Sequence, residues 1–328
     1  MKLLRCFSSS ILVAALGVHA GTALAQSYPS RPIRIVVPFV AGGALDTTAR
    51  LISPKMADAL NQPVIVENRP GATGIIGADW VAKAAPDGYT ILINANGLAL
   101  TPALYRKLPF DAAKDLIPVT QLVSSTLIML AGSKLPAASI GELIALAKSK
   151  PGGLNYGHTG VGGQGHLAIE LLKLSAGIDI LAIPYKGEAP ISIALMKGEV
   201  DVAVLPLTTN LHSIKAGRLR ALGVSSARRS AALPDVPTVT EAGVSGFEYD
   251  SFHGLYGLFV PAKTPRDIVE LIQREVVKVL NMPDVRDRIL ALGLEPVGST
   301  PEEFDAKYKA DLAQFARIVK DARIPLQD

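Results

Sequence analysis

Along the chain, short β-branched runs alternate with longer segments of helical spacing, the pattern of an α/β protein built on open, mostly parallel sheets. Ile33 to Val37 is a continuous run that ends at Pro38, as expected of a strand buried on both faces. A helix is predicted from about Leu45 to Leu60, a strand at Val64 to Glu67, a helix at Ile75 to Ala84 and a strand at Thr90 to Asn94. A second α/β unit begins near Ile128. It has a helix at Ile140 to Ser149, a Gly-rich turn at Gly157 to Gly165 and a helix from about His166 to Ala176. A strand at Ile180 to Pro184, a helix at Ile191 to Lys197 and strands at Val200 to Leu205 and Ala221 to Ser225 complete it.

The last part returns to strand-like material at Phe247 to Val260. An amphipathic helix follows at Pro265 to Asn281, with Ile268, Leu271, Ile272, Val276 and Leu280 on one face. A final helix runs from about Pro301 to Ala322, where Thr300 and Glu303 have the spacing of a capping box. These helices have no strands of their own downstream, so they must pack back on the N-terminal sheet. The prediction is therefore two lobes with a cleft between them, joined by crossings near Pro118 to Leu130 and Phe247 to Val260. One lobe comprises residues 26–126 plus 247–328, the other 127–246.

The first residues set the compartment. Met1 to Arg5 carries two positive charges, Ile11 to Val18 is a short apolar run, and Ala23-Leu24-Ala25 has the small-x-small form cut by signal peptidase. Cleavage is expected before Gln26, giving a periplasmic protein. The apolar run is too short to span a bilayer, and no later stretch reaches the ~18 apolar residues a membrane helix needs. Cys6, the single cysteine of the 328 residues, leaves with the signal, so no disulfide supports the fold. Losing Lys2 and Arg5 lowers the formal charge from +4 to about +2. The densest remaining basic cluster is Arg228-Arg229, which with few aromatics speaks against nucleic-acid binding.

Two stretches have the form of ligand sites. Pro38-Phe39-Val40-Ala41-Gly42-Gly43-Ala44-Leu45-Asp46 is a strand end, a Gly pair and a helix start in succession. Unpaired amides at a helix N-terminus favour anions, and glycines allow close backbone approach. Asp46 reads equally as part of that site or as a first-turn acid that complements the helix dipole. The second stretch is Thr159-Gly160-Val161-Gly162-Gly163-Gln164-Gly165-His166. Gly160, Gly162 and Gly165 fit a dinucleotide fingerprint, but the match is not on the first strand of its lobe, and Asp179 precedes its strand instead of ending it. What remains is a second anion-friendly helix start, in the other lobe. His166 can bond a backbone carbonyl or a ligand.

Catalytic signals are poor. His158, His166, His212 and His253 show no HxH or HExxH spacing, no cysteine remains for zinc, and no serine sits in a GxSxG elbow. An enzyme is not expected, and neither is a metal or cofactor.

Ordered landmarks across nearly all of the mature chain resemble the Bug receptors, the extracytoplasmic solute-binding components of tripartite tricarboxylate transporters. They are Tyr28-Pro29-Ser30-Arg31-Pro32-Ile33, Pro38-Phe39 with Ala41-Gly42-Gly43 and Asp46, Val66-Glu67-Asn68-Arg69-Pro70-Gly71-Ala72, Pro86-Asp87-Gly88-Tyr89-Thr90, Pro184-Tyr185-Lys186-Gly187, and Leu233-Pro234-Asp235-Val236-Pro237-Thr238. The resemblance implies a type II periplasmic binding protein fold that closes on its ligand like a hinged trap. It implies that the two Gly-rich turns hold one carboxylate, that permease subunits are the membrane partner, and that the receptor is a monomer. Ligands of the family include di- and tricarboxylates, acidic amino acids and aromatic carboxylates. The candidate ligand-binding residues are then Phe39, Ala41, Gly42, Gly43, Asp46, Asn94, His158, Thr159, Gly162, Gly163, His166, Tyr185 and Leu205.

The chain departs from the family pattern where selection should occur. Gly163 stands where Ser or Thr is common, His158 where Ser is common, Leu98 and Thr101 where His and Asn are often seen, and Leu205-Pro206 where an Asp and a small polar residue are usual. A pocket that has lost polar groups should favour a carboxylate with an apolar or aromatic body over citrate or an amino acid. A receptor that reports its ligand to a membrane sensor kinase is the alternative use of the same closure.

Overall fold

The computed structural model describes residues 28–226, 228–230, 232–244 and 256–328. The expected signal segment 1–25, the cut before Gln26, His253 and residues 247–255 of the second expected crossing lie outside the described residues. In chain order the elements are β1 (Ile33–Val37), α1 (Ala44–Leu60), β2 (Val64–Asn68), α2 (Ile75–Ala82), β3 (Thr90–Ala95), α3 (Gly97–Leu104), β4 (Leu116–Ser124), β5 (Leu127–Ala131), α4 (Ile140–Ser149), β6 (Asn155–His158) and α5 (Gln164–Ala176). There follow β7 (Leu181–Pro184), α6 (Glu188–Lys197), β8 (Val202–Pro206), α7 (Leu207–Lys215), β9 (Arg220–Val224), β10 (Tyr256–Pro261), α8 (Arg266–Leu280), α9 (Pro283–Ala291), β11 (Glu295–Pro296) and α10 (Pro301–Asp321).

The strands form two sheets, and these define two lobes. One sheet has six strands in the order β11-β4-β10-β3-β1-β2, the other five in the order β7-β6-β8-β5-β9. The chain leaves the first sheet at Ser124 and enters the second at Leu127, a crossing of two residues that Ser225 braces. The Ser225 hydroxyl accepts from the Leu127 amide at 3.1 Å, and its own amide donates to the Leu127 carbonyl at 2.9 Å.

The sheets are mixed rather than mostly parallel, and the crossings explain why. β1, β2 and β3 run parallel in the first lobe, and β6, β7 and β8 in the second. The strands that arrive from the other lobe run against their neighbours, β5 antiparallel to β8 and β9 and β10 to β3 and β4, and the short edge strand β11 is antiparallel to β4. A strand that enters at the cleft runs away from it, against strands that end there. The carboxyl ends of the parallel strands therefore border the cleft, which is where open α/β sheets bind ligands.

The first sheet is covered on both faces. Ile33, Ile35 and Val37 join Ile91 and Ile93 in one apolar cluster, while Val36 and Leu92 join another, as a side-chain period of two requires. Arg34 interrupts the run, exposed and paired with Glu67 at 3.0 Å. The predicted packing of the last helices is observed. α8 turns Val269, Ile272, Val276 and Val279 inward and packs on α1 and β4. α10 packs on β4 and α3, and also reaches α5 of the second lobe. Its capping box is formed, with the Glu303 amide donating to Thr300 Oγ1 at 3.2 Å and the Thr300 amide to Glu303 Oε2 at 2.9 Å. Among the described residues no helix is long and apolar enough to cross a membrane.

Candidate functional site

Between the lobes lies a cavity of about 420 Å³. The first lobe lines it with Asn96 at the end of β3, with Leu100, Thr101, Leu104 and Tyr105 of α3 and just beyond, and with Phe315 of α10. The second lobe contributes Thr159 to Gly163, the turn between β6 and α5, and then Gln164 and Leu167. A smaller cavity of about 150 Å³ continues into the second lobe. It is bounded by His158, Thr159, Gln164, Glu188, Leu205 and Pro206 over an apolar floor that includes Leu127, Ile191 and Val204. Thr159 and Gln164 belong to both, so the two cavities meet at the start of α5.

The lobes touch here. Gln164 Nε2 donates to Asn96 Oδ1 across the cleft at 2.5 Å. Gly162, at φ 80°, lies so close to Leu104 that a β-carbon would come within 2.5 Å of that side chain. Glycine is required at this position both by the left-handed backbone and by the approach of the opposite lobe. Gly165 is constrained from behind, since a β-carbon there would stand 2.4 Å from the Val204 carbonyl oxygen. The N-terminal turn of α5 is thereby seated directly on β8, with its first amides lacking intrahelical partners.

Two buried imidazoles organise this turn. His158 Nδ1 accepts from the Gly160 amide at 3.1 Å and His166 Nδ1 from the Gly162 amide at 3.4 Å, with ring centroids 4.8 Å apart. An accepting Nδ1 is an unprotonated one. For His166, burial and then the field of His158 lower the pKa to about 4, against an opposing pull from Glu170. His166 lines neither cavity and holds the turn from beneath.

The first lobe's turn is held differently. Asp46, 3% exposed, accepts from the Gly42 amide at 2.8 Å, from Arg50 Nε at 3.0 Å and from Asn68 Nδ2 at 2.9 Å. Asn68 Nδ2 also donates to the Phe39 carbonyl at 3.1 Å. Burial raises the Asp46 pKa, but these hydrogen bonds and the Arg50 charge outweigh it and hold the carboxyl at about 2. Asp46 thus occupies the Gly42 amide itself, leaving exposed Ala41 and Gly43 at the start of α1.

Of the residues expected at the site, the structure places Thr159, Gly162 and Gly163 in the larger cavity, and His158, Thr159 and Leu205 in the smaller. Phe39, Ala41, Gly42, Gly43, Asp46, Asn94, His166 and Tyr185 line neither. Asn94 is buried, and its side chain accepts from the Ala95 amide at 2.8 Å. Tyr185 packs against the apolar cluster that contains Leu205 and Ile191. The sequence reading missed Asn96, Leu100, Leu104, Gln164, Phe315 and Glu188. Asn96 and Gln164 occupy a strand end and a helix start, positions the sheet rule marks out once the elements are known. Among the described residues no group of three or more His, Cys, Asp or Glu side chains is arranged to hold a metal ion.

Comparison with known proteins places this arrangement. Residues 48–324 match the family described as tripartite tricarboxylate transporter family receptor. Protein BugT of Bordetella pertussis is 34% identical over 319 residues, covering 97% of each chain. Among solved structures, Rpa4515 of R. palustris with adipate is 34% identical with a TM-score of 0.74, covering 92% of this chain and 100% of its own. MatC of Rhodopseudomonas palustris with bound malate is 32% identical with a TM-score of 0.71, covering 89% and 100% respectively.

Proposed function

Because the chain belongs to the tripartite tricarboxylate transporter receptor family, we propose that it is a periplasmic solute-binding protein that captures a small carboxylate between its lobes. The observation that carries this reading is the cavity of about 420 Å³, walled on one side by α3 and on the other by the Gly-rich turn before α5. Among the described residues its lining contains no Asp, Glu, Lys or Arg. A carboxylate there is held by the Thr159 hydroxyl and the free first-turn amides of α5, which Gly162 and Gly163 let it approach closely, with charge-assisted N–H bonds each contributing roughly 1.5–3 kcal/mol. Leu100, Leu104, Val161, Leu167 and Phe315 then receive an apolar or aromatic body. His158 and Leu205 border the site through the smaller cavity, while Phe39, Ala41, Gly42 and Gly43, held by Asp46, together with Asn94, His166 and Tyr185, lie outside both cavities and would reach the ligand only as the lobes close on it. Two related structures, one with adipate and one with bound malate, support the carboxylate.

The lobes divide at residues 26–126 plus 247–328 and 127–246, and the mature chain starts at Gln26 after removal of a signal peptide. It acts as a monomer, not as an enzyme, and hands its ligand to the membrane permease subunits of a tripartite transporter. Reporting to a sensor kinase is the second use that the same closure permits. The test is a thermal-shift screen of residues 26–328, unfolded and refolded to remove carried ligand, against aromatic carboxylates, aliphatic dicarboxylates, citrate and amino acids. One class is expected to raise the melting temperature, since a ligand at a hundred times its Kd adds about 2.7 kcal/mol. A flat response across the whole panel would defeat the proposal.

A further inference from the structure

The smaller cavity contains an acid with no hydrogen-bond or ion-pair partner among the described residues. Glu188 is the first residue of α6, presented by Gly187, whose φ of 114° suits glycine alone. Among the described residues lining the two cavities it is the one Asp, Glu, Lys or Arg. Its carboxylate has no hydrogen-bond or ion-pair partner among the described residues, in contrast to the heavily bonded Asp46. A carboxylate in the first turn of a helix is normally favoured in its charged form. Glu188 as a whole is exposed, but desolvation of its carboxylate at the cavity wall raises its pKa, and that of Tyr256 at the start of β10 is raised first by burial and then by the Glu188 charge.

An uncompensated negative charge beside a carboxylate site has a definite sign of selectivity. It repels a second carboxylate and attracts a cation. Beside it, His158 lines the same cavity with Nδ1 already accepting from the turn, which leaves Nε2 as the ring's donor, and Thr159 offers a hydroxyl. One end of the cavity thus donates and the other accepts.

Resting on the carboxylate-capture reading, we infer that Glu188 is a specificity-determining residue that binds a protonated nitrogen of the ligand, so the preferred ligand carries an ammonium group as well as a carboxylate. This revises the expectation that amino acids are disfavoured: the apolar body still enters the larger cavity, and the amine faces Glu188.

The experiment is calorimetry on refolded residues 26–328 with matched pairs of acids: 3-phenylpropanoate against phenylalanine, hexanoate against norleucine, and succinate against aspartate. The tightest ligand of the unaltered protein should be an aminated one, about tenfold or more tighter than its partner. Glu188→Gln should lose about tenfold or more for that ligand while binding the plain acid equally well or better. Glu188→Ala should repeat the result, and unliganded melting temperatures should match the parent. Plain acids that bind as tightly as their aminated partners, or a Glu188→Gln protein that keeps the preference, would overturn this inference and leave carboxylate capture standing. If no acid of either kind binds the unaltered protein, carboxylate capture fails and the inference falls with it.

Discussion

The two glycine turns share one sequence plan, a strand end, glycines and a helix start, yet are braced by opposite chemistry. In the first lobe an ionised carboxylate, Asp46, gathers a backbone amide, a guanidinium and an amide side chain. In the second, two imidazoles accept backbone amides through unprotonated nitrogens. The first device needs a charge and the second needs the absence of one. Similar turns can therefore respond to different conditions, and only the second lies against the cavities.

The largest effect should come from breaking the charged brace. Asp46→Ala leaves the Gly42 amide without its acceptor, Arg50 without its carboxylate and Asn68 with only the Phe39 carbonyl, and should cost about 2–4 kcal/mol in urea unfolding. A loss below about 0.5 kcal/mol would show that the turn keeps its shape without the carboxylate.

The next effect is on pH dependence. A His166 pKa near 4 in the folded chain lies below the ordinary value of 6.5. Below pH 6.5 the unfolded chain takes up a proton that the folded chain refuses. The contribution of His166 is thus fully present above 6.5 and declines as pH falls towards 4, by about 2 kcal/mol. Asp46, with its pKa lowered to about 2, keeps its contribution above the ordinary carboxylate value and loses it only towards about pH 2. The second turn should loosen first on acidification. His166→Asn, which retains an acceptor and cannot titrate, should flatten the stability profile between pH 6.5 and 4. An unchanged profile would remove His166 as its cause.

Much of the architecture was legible because it is written in burial. The run Ile33 to Val37 and the stripe of α8 announce their elements by period alone. The site was less legible, for local reasons. α3 reads Gly-Leu-Ala-Leu-Thr-Pro-Ala-Leu, apolar on nearly every side and interrupted by proline, so no periodicity marks it. Wedged between α10 and the turn before α5, it needs no polar face, and it forms one wall of the cavity. β6 has only four residues, one of them Gly157 packed against Ile191. α6 begins three residues before its predicted start because Pro190 is tolerated in a first helical turn. Placing the start after that proline left Glu188 in a loop, with no reason to face the cleft. The antiparallel arrivals β5 and β10 follow from the two-lobed path of the chain, which no single segment reveals.

The central claim is that the ligand lies where the two cavities meet, and Thr159 tests it most directly because it lines both and is exposed. The measurement is the Kd of the tightest carboxylate for Thr159→Trp against the parent, with unliganded melting temperatures as the control for folding. A ring filling the junction should weaken binding by about a hundredfold or more at unchanged melting temperature. Affinity equal to the parent's would place the ligand elsewhere and contradict the account.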